Sequence, residues 1–378
     1  MLKNTLKAAF AAALAGMALS SCMNGGANLK GHIELDRDSI LVQTLKAINP
    51  KGYTSIDTVA LENGNFKMHV EDTAALFVYI SPLPKNHSEM MTLPRASMLL
   101  LPGDKISISG RLDDLTISGS ELYDSLEALD GIQSLEKEYT MAQKELRPLY
   151  ASEQENKDAI DSLDAVISSL SARLNAQRMD FVKNNPSSPA AAYMTLVMPA
   201  KESVEAYGML DESLKTNAIW SVVDYIVTAN RNNLTKKANW ENMKPGVQAP
   251  DFKLRNLDGE YMTLASFKGK YVLLDFWGTW CGWCIKGIPD MKEYYAKYKD
   301  RIEFVGIDCR DTEEKWKEGV AKHELPWTNL YNGDGQEIVI AYGVQGYPTK
   351  IIIDPEGKIV EAFLGEDPAL YKKLDELF

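Results

Sequence analysis

Hydrophobic and polar residues alternate through the first third of the chain, after residue 28. In Ile106–Gly110 and Leu115–Gly119, apolar side chains occupy every second position and a glycine ends each run, a pattern typical of half-buried β-strands. Asn63 and Gly64 precede another alternating run, and this dipeptide is typical of the turn of a β-hairpin. We therefore predict that residues 29–120 form an all-β, sandwich-like domain.

The periodicity becomes helical between residues 121 and 240. One long helix is predicted from a stripe of apolar residues separated by alternating steps of three and four: Ile160, Leu163, Ile167, Leu170 and Leu174. Pro186 and Pro189 are expected to end this helix. The stripe favours a helical hairpin within one chain, and a contact between two copies in a homodimer is the alternative.

Other boundaries of this helical region come from prolines and polar residues. An earlier helix is predicted to start within residues 122–129 and to bend or end at Pro148. Shorter helices are expected to follow to about Asn230, and residues 239–250 have the composition of a linker. The predicted organisation is a β-rich domain at 29–120, a helical region at 121–240 and a last domain at 241–378.

The N-terminal residues have the pattern of a secretory signal. Two lysines precede the short apolar run Ala8–Leu19, and small residues follow it. This run is shorter than the ~20 residues that span a bilayer. Cys22 directly follows two serines, which resembles the lipobox of bacterial lipoproteins. The resemblance implies a signal peptide at 1–21, an acylated Cys22 and a tether at 22–28; the alternative is an ordinary signal with an incidental cysteine.

Composition narrows the possible functions. The chain has 378 residues, with 53 acidic and 41 basic side chains and a net charge of −12. No basic block interrupts the acidic excess, so nucleic acid is a poor candidate partner. The four cysteines are too few for a disulfide-stapled scaffold. Together with the signal, these features predict a periplasmic protein that a lipid anchor attaches to a membrane of the cell envelope, where disulfides can form.

The candidate chemistry lies where a buried strand meets a helix. Residues 271–277 are apolar, β-branched and aromatic, and they lead directly into the Cys-x-x-Cys motif of Cys281 and Cys284. Residues 285–299 then have helical spacing. Cys281 is therefore expected at a helix N-terminus, where free N–H groups and the helix dipole stabilise a thiolate. Cys284 is close enough to resolve a mixed disulfide formed at Cys281.

Three other roles for the two cysteines are less consistent with the sequence. Zinc needs four ligands, and the histidines at positions 32, 69, 87 and 323 have no ligand-like spacing. A structural disulfide is rarely placed between two tryptophans at a strand end. A peroxidatic cysteine is a single thiolate, and the Pro-x-x-x-Thr-x-x-Cys pattern of peroxiredoxins is absent around Cys281. Redox exchange through the pair is the favoured interpretation.

Residues 245–378 resemble the thioredoxin superfamily and, within it, the membrane-tethered TlpA/ResA-like thiol–disulfide oxidoreductases. The resemblance is carried by six stretches: residues 249–252, 257–259 and 267–270 before the motif, 276–284 around it, 342–349 with its proline, and 351–358. It implies an α/β domain with a central mixed sheet flanked by helices, and disulfide exchange without a cofactor. The region before it resembles, more diffusely, a β-rich domain of unknown role found in some bacterial lipoproteins.

The family resemblance implies roles for further residues. Asp275 matches a carboxylate whose pKa is raised by burial and which exchanges a proton with Cys284. Pro348 matches a cis-proline that leaves the Tyr347 backbone free to pair with an extended substrate. A solvated aspartate and an ordinary turn proline are the alternatives. The residues expected to border the substrate are Trp280, Gly282, Trp283, Tyr347 and Pro348.

Some positions depart from the family pattern. Trp283 replaces the proline of thioredoxins, so their redox potential cannot be transferred. Gly287 replaces a glutamate of some cytochrome-maturation members, which argues against apocytochrome c as the substrate. Phe304 stands where the lysine partner of Asp275 is expected, and Tyr347 is bulkier than usual. Cys309 is interpreted as a partly buried, unpaired cysteine; an auxiliary thiol at the sheet edge is the alternative.

The sequence therefore predicts an enzyme that exchanges disulfides with periplasmic proteins through Cys281 and Cys284. A reductase or isomerase is favoured over an oxidase. The resemblance also implies a membrane thiol donor that keeps the cysteine pair reduced. A different class remains open: a binding or scaffold lipoprotein in which the disulfide is only regulatory.

Overall fold

The computed structural model describes residues 27–378 except positions 51, 72, 87–88, 90–92, 128, 153 and 155. The predicted signal peptide at 1–21 and lipidated Cys22, with most of the tether at 22–28, lie outside the described residues. The chain forms two compact units, residues 1–228 and 229–378. Within the described part of the chain, no helix is both long enough and apolar enough to cross a membrane.

The first unit begins with a β-sandwich. Its strands are β1 (Leu29–Ile33), β2 (Ser39–Lys46), β3 (Tyr53–Ala60), β4 (Asn65–Met68), β5 (Leu76–Pro82), β6 (Ala96–Leu100), β7 (Ile106–Arg111) and β8 (Asp114–Ser118). They form two sheets with the orders β4-β1-β7-β8 and β3-β2-β5-β6. Apolar residues of both sheets, such as Ile33 and Val42, share one core. The predicted all-β region is confirmed.

The turn at Asn63 and Gly64 forms a two-residue hairpin closed by an antiparallel bridge between Glu62 and Asn65, but this hairpin does not extend into a ladder between β3 and β4. Both residues have positive φ, +52° and +79°, as a type I′ turn requires. The strands on either side, β3 and β4, belong to different sheets. A Cβ at Gly64 would lie 2.8 Å from the His32 ring, because β4 pairs with β1. The turn therefore carries the chain from one sheet to the other.

Six helices follow within the described residues. They are α1 (Glu121–Glu127), α2 (Asp130–Leu149), α3 (Lys157–Asn184), α4 (Pro189–Val197), α5 (Ala200–Tyr207) and α6 (Ala218–Glu241). The predicted long helix is α3, which packs against α2 as a hairpin, with Leu135 and Leu174 in a shared core. The apolar face of α6, including Val222 and Val223, packs into the core of the sandwich.

Two helix boundaries differ from the predictions. The earlier helix is two helices, since α1 ends at Glu127 and α2 begins at Asp130; α2 extends to Leu149 with Pro148 in its last turn. The last helix continues past Asn230 to Glu241. Its last turns are polar on most faces, which hid the helical period from the sequence pattern.

The second unit is a mixed sheet flanked by helices, as predicted. Its strands are β9 (Lys253–Asn256), β10 (Tyr261–Thr263), β11 (Tyr271–Trp277), β12 (Ile302–Asp308), β13 (Thr328–Tyr331), β14 (Thr349–Ile353) and β15 (Ile359–Leu364), in the order β10-β9-β13-β12-β11-β14-β15. Its helices are α7 (Gly282–Tyr298), α8 (Glu313–Lys322), α9 (Glu337–Ala341) and α10 (Pro368–Leu377). The central strand β11 is parallel to β12 and antiparallel to β14.

The strand β11 is buried on both faces of this sheet. Val272, Leu274 and Phe276 point into one core, whereas Leu273 and Trp277 point into the other. This alternation follows from the period of two along a strand. Because both faces are covered, the carboxyl end of β11 holds the following turn rigidly at the edge of the sheet.

The last turns of α6 belong to the second unit, where they lie near α9. Asn239 donates a hydrogen bond from Nδ2 to the carbonyl oxygen of Ile340, at 2.8 Å. Gly343 has a φ of +62°, and a Cβ at this position would overlap the backbone nitrogen of Trp240. A glycine is therefore required at position 343, where the backbone lies against the C-terminal end of α6.

Candidate active site

The two cysteines of the motif lie at the junction of β11 and α7. Cys281 is the N-cap residue of α7, and its sulfur accepts a hydrogen bond from the backbone N–H of Cys284 at 3.1 Å. The two sulfurs are joined in a disulfide, 2.03 Å apart. Cys281 is thus at the helix N-terminus, as predicted, where the dipole and free N–H groups favour an anion on sulfur.

Aromatic side chains surround the disulfide on its solvent side. Trp280 is 46% exposed and Trp283 is 64% exposed, while the two cysteines are each 5% exposed. The ring of Tyr347 contacts Trp280 edge-on, with centroids 5.2 Å apart. Gly282 is also exposed and has open space where a Cβ would be. The two nearly buried cysteines are therefore next to exposed aromatic surface.

The segment that carries Tyr347 and Pro348 lies beside the cysteines, since Tyr347 packs against the apolar cluster that contains both of them. The Tyr347–Pro348 peptide bond is cis, as predicted, and Pro348 is buried. The Pro348 carbonyl oxygen accepts a hydrogen bond from the N–H of Gly365 at 2.8 Å, which ties the segment to the end of β15. Four of the five predicted substrate-bordering residues are thus at least partly exposed, and Pro348 is the buried one.

Arg310 adds a cation that the sequence did not reveal. Its guanidinium carbon lies 5.3 Å from the ring centroids of both Trp280 and Tyr347. A guanidinium over aromatic rings is attracted by their π-electrons. Arg310 follows β12 and belongs to no recognisable motif. The only signal in the sequence is its position just after a strand whose end lies at the same sheet edge as the end of β11.

The turn before Cys281 is held by a second unpredicted residue, Asp311. One carboxylate oxygen accepts the backbone N–H of Thr279 at 2.6 Å, and the other accepts the Thr279 hydroxyl at 2.7 Å. Trp280 donates from Nε1 to the carbonyl oxygen of Cys309 at 2.9 Å. These bonds fix the turn to the residues after β12, so the position of Cys281 depends on both strands.

A buried group of charges lies behind the cysteines. Asp275 on β11 is paired in register with Lys350 on β14, and the Lys350 Nζ lies 3.6 Å from Asp275 Oδ1 and 2.6 Å from Glu366 Oε1. The side chains of Lys350, Asp275 and Glu366 are 1%, 11% and 17% exposed. Burial raises the pKa of Asp275 and of Glu366, and the nearby Lys350 opposes both shifts.

This group corrects one interpretation of the sequence. Phe304 suggested that Asp275 lacks a lysine partner, but Lys350 supplies the cation from the neighbouring strand on the other side of β11. The alternative of a solvated Asp275 is also wrong, since this residue is buried. Neither Lys350 nor Glu366 was identified from the sequence, because their proximity depends on strand register and on a distant loop.

Cys309 is unpaired, as the favoured interpretation expected, and it is fully rather than partly buried. Its exposure is 0%, and burial raises the pKa of its thiol to about 12. The Tyr347 hydroxyl and the Asn332 amide are hydrogen-bond partners of this sulfur, and the Asn332 Nδ2 lies 3.8 Å from it.

Among the residues that the structure describes, no cluster of His, Cys, Asp and Glu could hold a metal ion.

The second unit is similar to known thiol–disulfide oxidoreductases. Residues 245–362 match the AhpC/TSA family model. Thiol-disulfide oxidoreductase ResA of Bacillus thuringiensis (strain Al Hakam) is 40% identical over 130 residues, which are 34% of this chain and 75% of that protein. ResA of Bacillus subtilis (strain 168) is 33% identical over 129 residues, 34% of this chain and 72% of that protein.

Two solved structures that are similar to this chain each match 35% of it. The thioredoxin domain of a thiol-disulfide oxidoreductase from Bacteroides vulgatus is 33% identical, with a TM-score of 0.34; the match covers 35% of this chain and 97% of that one. A putative thiol:disulfide interchange protein DsbE from Chlorobium tepidum is 31% identical, with a TM-score of 0.33; the match covers 35% of this chain and 94% of that one.

The mixed sheet and the helix-capping Cys-x-x-Cys disulfide define a thioredoxin-like oxidoreductase domain. The identity of 40% over three quarters of a ResA protein shows, more specifically, that the chain belongs to the ResA-like family of thiol–disulfide oxidoreductases. It is therefore an enzyme that acts on thiols and disulfides.

Proposed function

We propose that the protein reduces or isomerises disulfides of other proteins outside the cytoplasm, through Cys281 and Cys284. The observation that carries this proposal is the disulfide at the N-cap of α7 with the exposed tryptophans Trp280 and Trp283 adjacent to its cysteines in the chain. A helix N-terminus favours the thiolate, which is the attacking form of cysteine. The exposed rings provide apolar surface that a protein substrate can bury.

The catalytic cycle begins with the reduced pair. The Cys281 thiolate attacks one sulfur of a substrate disulfide, forming a mixed disulfide and releasing the other substrate sulfur as a thiolate. Cys284 then loses its proton, attacks the sulfur of Cys281 and displaces the substrate. The cysteine pair is oxidised by two electrons and the substrate disulfide is reduced by two electrons.

Asp275 is the proposed proton acceptor for Cys284. It is buried on the strand that leads to the motif, and burial raises its pKa. A carboxylate with a raised pKa is a stronger base near neutral pH. It can therefore take the proton of the resolving thiol and later return it to solvent or to a leaving thiolate.

An extended substrate segment is proposed to bind along Tyr347. Among the described residues, the backbone N–H and C=O of Tyr347 form no hydrogen bond. An extended segment can pair with such free backbone groups as an added strand. Trp280 and Trp283 would then contact side chains on either side of the substrate cysteine.

The proposed location follows from the first residues of the chain. The signal-like pattern and Cys22 support export and a lipid anchor in the cell envelope. In an oxidising compartment the pair needs an electron source to stay reduced, so a thiol donor in the membrane is part of the proposal. The precursor can be tested by mass spectrometry: acylation of Cys22 adds lipid mass to the mature N-terminus, and an unmodified Cys22 would contradict the anchor.

Insulin reduction with dithiothreitol as the electron source tests the proposed function. Wild-type protein should accelerate insulin reduction, and Cys281→Ser should not. Cys284→Ala should accumulate a mixed disulfide at Cys281, visible on a non-reducing gel, because the resolving thiol is missing. If the wild type is no faster than Cys281→Ser, a scaffold protein with a regulatory disulfide is favoured instead.

A peroxidase is the second candidate, since the family model that matches residues 245–362 is named AhpC/TSA. The cysteine pair with its two-residue spacing argues for disulfide exchange. Consumption of hydrogen peroxide by the reduced protein separates the two functions. Peroxide turnover comparable with insulin reduction would favour the peroxidase.

A further inference from the structure

Two buried carboxylates share one buried ammonium next to α7. Asp275 comes from β11, Lys350 from β14 and Glu366 from the loop between β15 and α10. The Lys350 side chain is 1% exposed, so water contributes little to its hydration. A buried ammonium needs anionic partners. With both carboxylates ionised, this group carries one more negative charge than positive charge.

The ammonium is not shared equally. Lys350 Nζ donates a hydrogen bond to Glu366 Oε1 at 2.6 Å, but it lies 3.6 Å from Asp275 Oδ1. Within the described structure, Asp275 Oδ1 is buried and has no hydrogen-bond partner. A carboxylate oxygen without a donor gains less stabilisation of its charge and binds a proton more readily. Glu366 therefore accepts the Lys350 hydrogen bond. If Asp275 accepted this bond instead, its carboxylate would be a weaker base.

Gly287 brings this group to the resolving cysteine. It lies three residues after Cys284, so the two share one face of α7. A Cβ at position 287 would overlap the carboxyl group of Glu366. The missing side chain thus lets the Glu366 carboxyl lie against the helix on the Cys284 face.

Two further titratable groups face Glu366. Asp290 on α7 interacts with it electrostatically and helps to raise its pKa. Tyr371 on α10 has a buried hydroxyl without a hydrogen-bond partner among the described residues, and it interacts with Glu366, Asp290 and Asp275. These groups add no cation, so Lys350 is the cation that the two carboxylates share.

We propose that Glu366 is a positioning residue for the resolution step: it holds the Lys350 ammonium and so keeps Asp275 available as the proton acceptor for Cys284. This inference rests on the proposed function. In the step concerned, the Cys284 proton passes to Asp275 and the Cys284 thiolate bonds to the sulfur of Cys281. The bond from Cys281 to the substrate sulfur breaks, and the substrate thiolate leaves with the electron pair.

The reaction of the reduced protein with 5,5′-dithiobis(2-nitrobenzoate) tests the role of Glu366. The first thionitrobenzoate is released when Cys281 attacks, and the second when Cys284 resolves the mixed disulfide. Stopped-flow traces from pH 5 to 9 give the pH profile of the second phase. In Glu366→Gln, the midpoint should move to lower pH and the alkaline plateau should fall roughly threefold, because Asp275 becomes a weaker base.

Other variants separate positioning from a structural role. Lys350→Met should move the midpoint to higher pH, since Asp275 loses its cation. Gly287→Asp combined with Glu366→Ala places a carboxyl back beside Lys350 from the helix, and it should return the midpoint toward the wild-type value. Glu361→Gln is the matched control: it removes a carboxylate from a partly exposed ion pair with Lys373, and the profile should not change.

The outcomes are distinct. A wild-type midpoint in Glu366→Gln, with or without a uniform loss of rate, overturns the assignment of Glu366. A wild-type protein that releases no second thionitrobenzoate overturns the proposed function together with this inference. Opposite midpoint shifts in Glu366→Gln and Lys350→Met support the positioning role.

Discussion

Cys281 and Cys309 follow the carboxyl ends of neighbouring parallel strands, β11 and β12, but their surroundings give them opposite chemistry. Cys281 caps α7, where the helix dipole and free N–H groups favour a thiolate. Cys309 is buried, and burial raises the pKa of its thiol to about 12. Both cysteines therefore reach the same sheet edge, and the helix N-terminus determines which of them becomes a nucleophile.

The largest difference is expected from removing each sulfur in turn. Cys281→Ser should reduce insulin only at the uncatalysed rate, because a serine hydroxyl cannot form the mixed disulfide. Cys309→Ala should keep activity within about twofold of wild type, since a buried unpaired thiol is inert. The insulin assay measures both. A large loss of activity in Cys309→Ala, with unchanged thermal stability, would contradict this assignment.

Alkylation compares the two thiols within one molecule. At pH 8, a thiol with a pKa of about 12 is ionised in only ~0.01% of molecules, and Cys309 is also inaccessible. After reduction, iodoacetamide should label Cys281 at least ~1,000 times faster than Cys309, as measured by peptide mass spectrometry. Unfolded protein in guanidinium chloride is the control, and there the two rates should converge. Comparable rates in the folded protein would make Cys309 a candidate auxiliary thiol.

Asp308, which directly precedes Cys309 in the chain, is expected to make the free energy of unfolding depend on pH. Burial, and then the neighbouring Asp311, raises the pKa of Asp308 to about 8. This value is above the unfolded value of about 3.9, so the folded state binds the extra proton. The contribution of Asp308 to the free energy of unfolding is fully present below pH ~4. It is lost as pH rises through ~8, by up to about 1.4 kcal/mol per pH unit.

Asp308→Asn should remove this slope from the free energy of unfolding. Urea unfolding of the oxidised protein at pH 5, 6 and 7 measures it. The matched control is Asp300→Asn, which changes an exposed aspartate and should leave the wild-type slope in place. Parallel slopes for wild type and Asp308→Asn would show that Asp308 is ionised in the folded protein throughout this range.

The smallest effect is expected from removing the hydrogen bond between Trp280, next to Cys281, and the backbone of Cys309. Trp280→Phe removes the Nε1–H that donates to the Cys309 carbonyl oxygen at 2.9 Å. A hydrogen bond of this kind contributes about 1 kcal/mol, so the free energy of unfolding should fall by about that amount. Trp283→Phe, at the more exposed ring, should change it by less than about 0.5 kcal/mol. Equal effects of the two substitutions would show that the bond adds nothing.

The chemistry of the sulfur site could be predicted because neighbouring residues carry it. A buried strand, a short turn and a helix follow one another between residues 271 and 298, so local patterns were enough to place Cys281 and Cys284. The buried charges could not be predicted in this way. Lys350 meets Asp275 through the register of β14 on β11, and Glu366 arrives from a loop, so no local pattern connects them.

In the β-rich region, too, the local sequence pattern predicts the strands but not how they pair. Alternation identified strands such as β7 and β8, because one face of each is buried. It could not show that β3 and β4 join different sheets, since strand pairing depends on residues far apart in the chain. The length of α6 was also underestimated, because its last turns are stabilised by contacts such as Asn239 with Ile340 rather than by an apolar stripe.

The close approach of α6 to Gly343 determines where the catalytic part of the chain can be cut. A fragment that starts at residue 245, where the family resemblance begins, lacks Asn239 and Trp240 and leaves the Ile340 carbonyl oxygen without its donor. Truncation there would open the backbone at Gly343 to water. A fragment that starts at residue 229, the beginning of the second compact unit, keeps this helical cover and is the better starting point for isolating the domain.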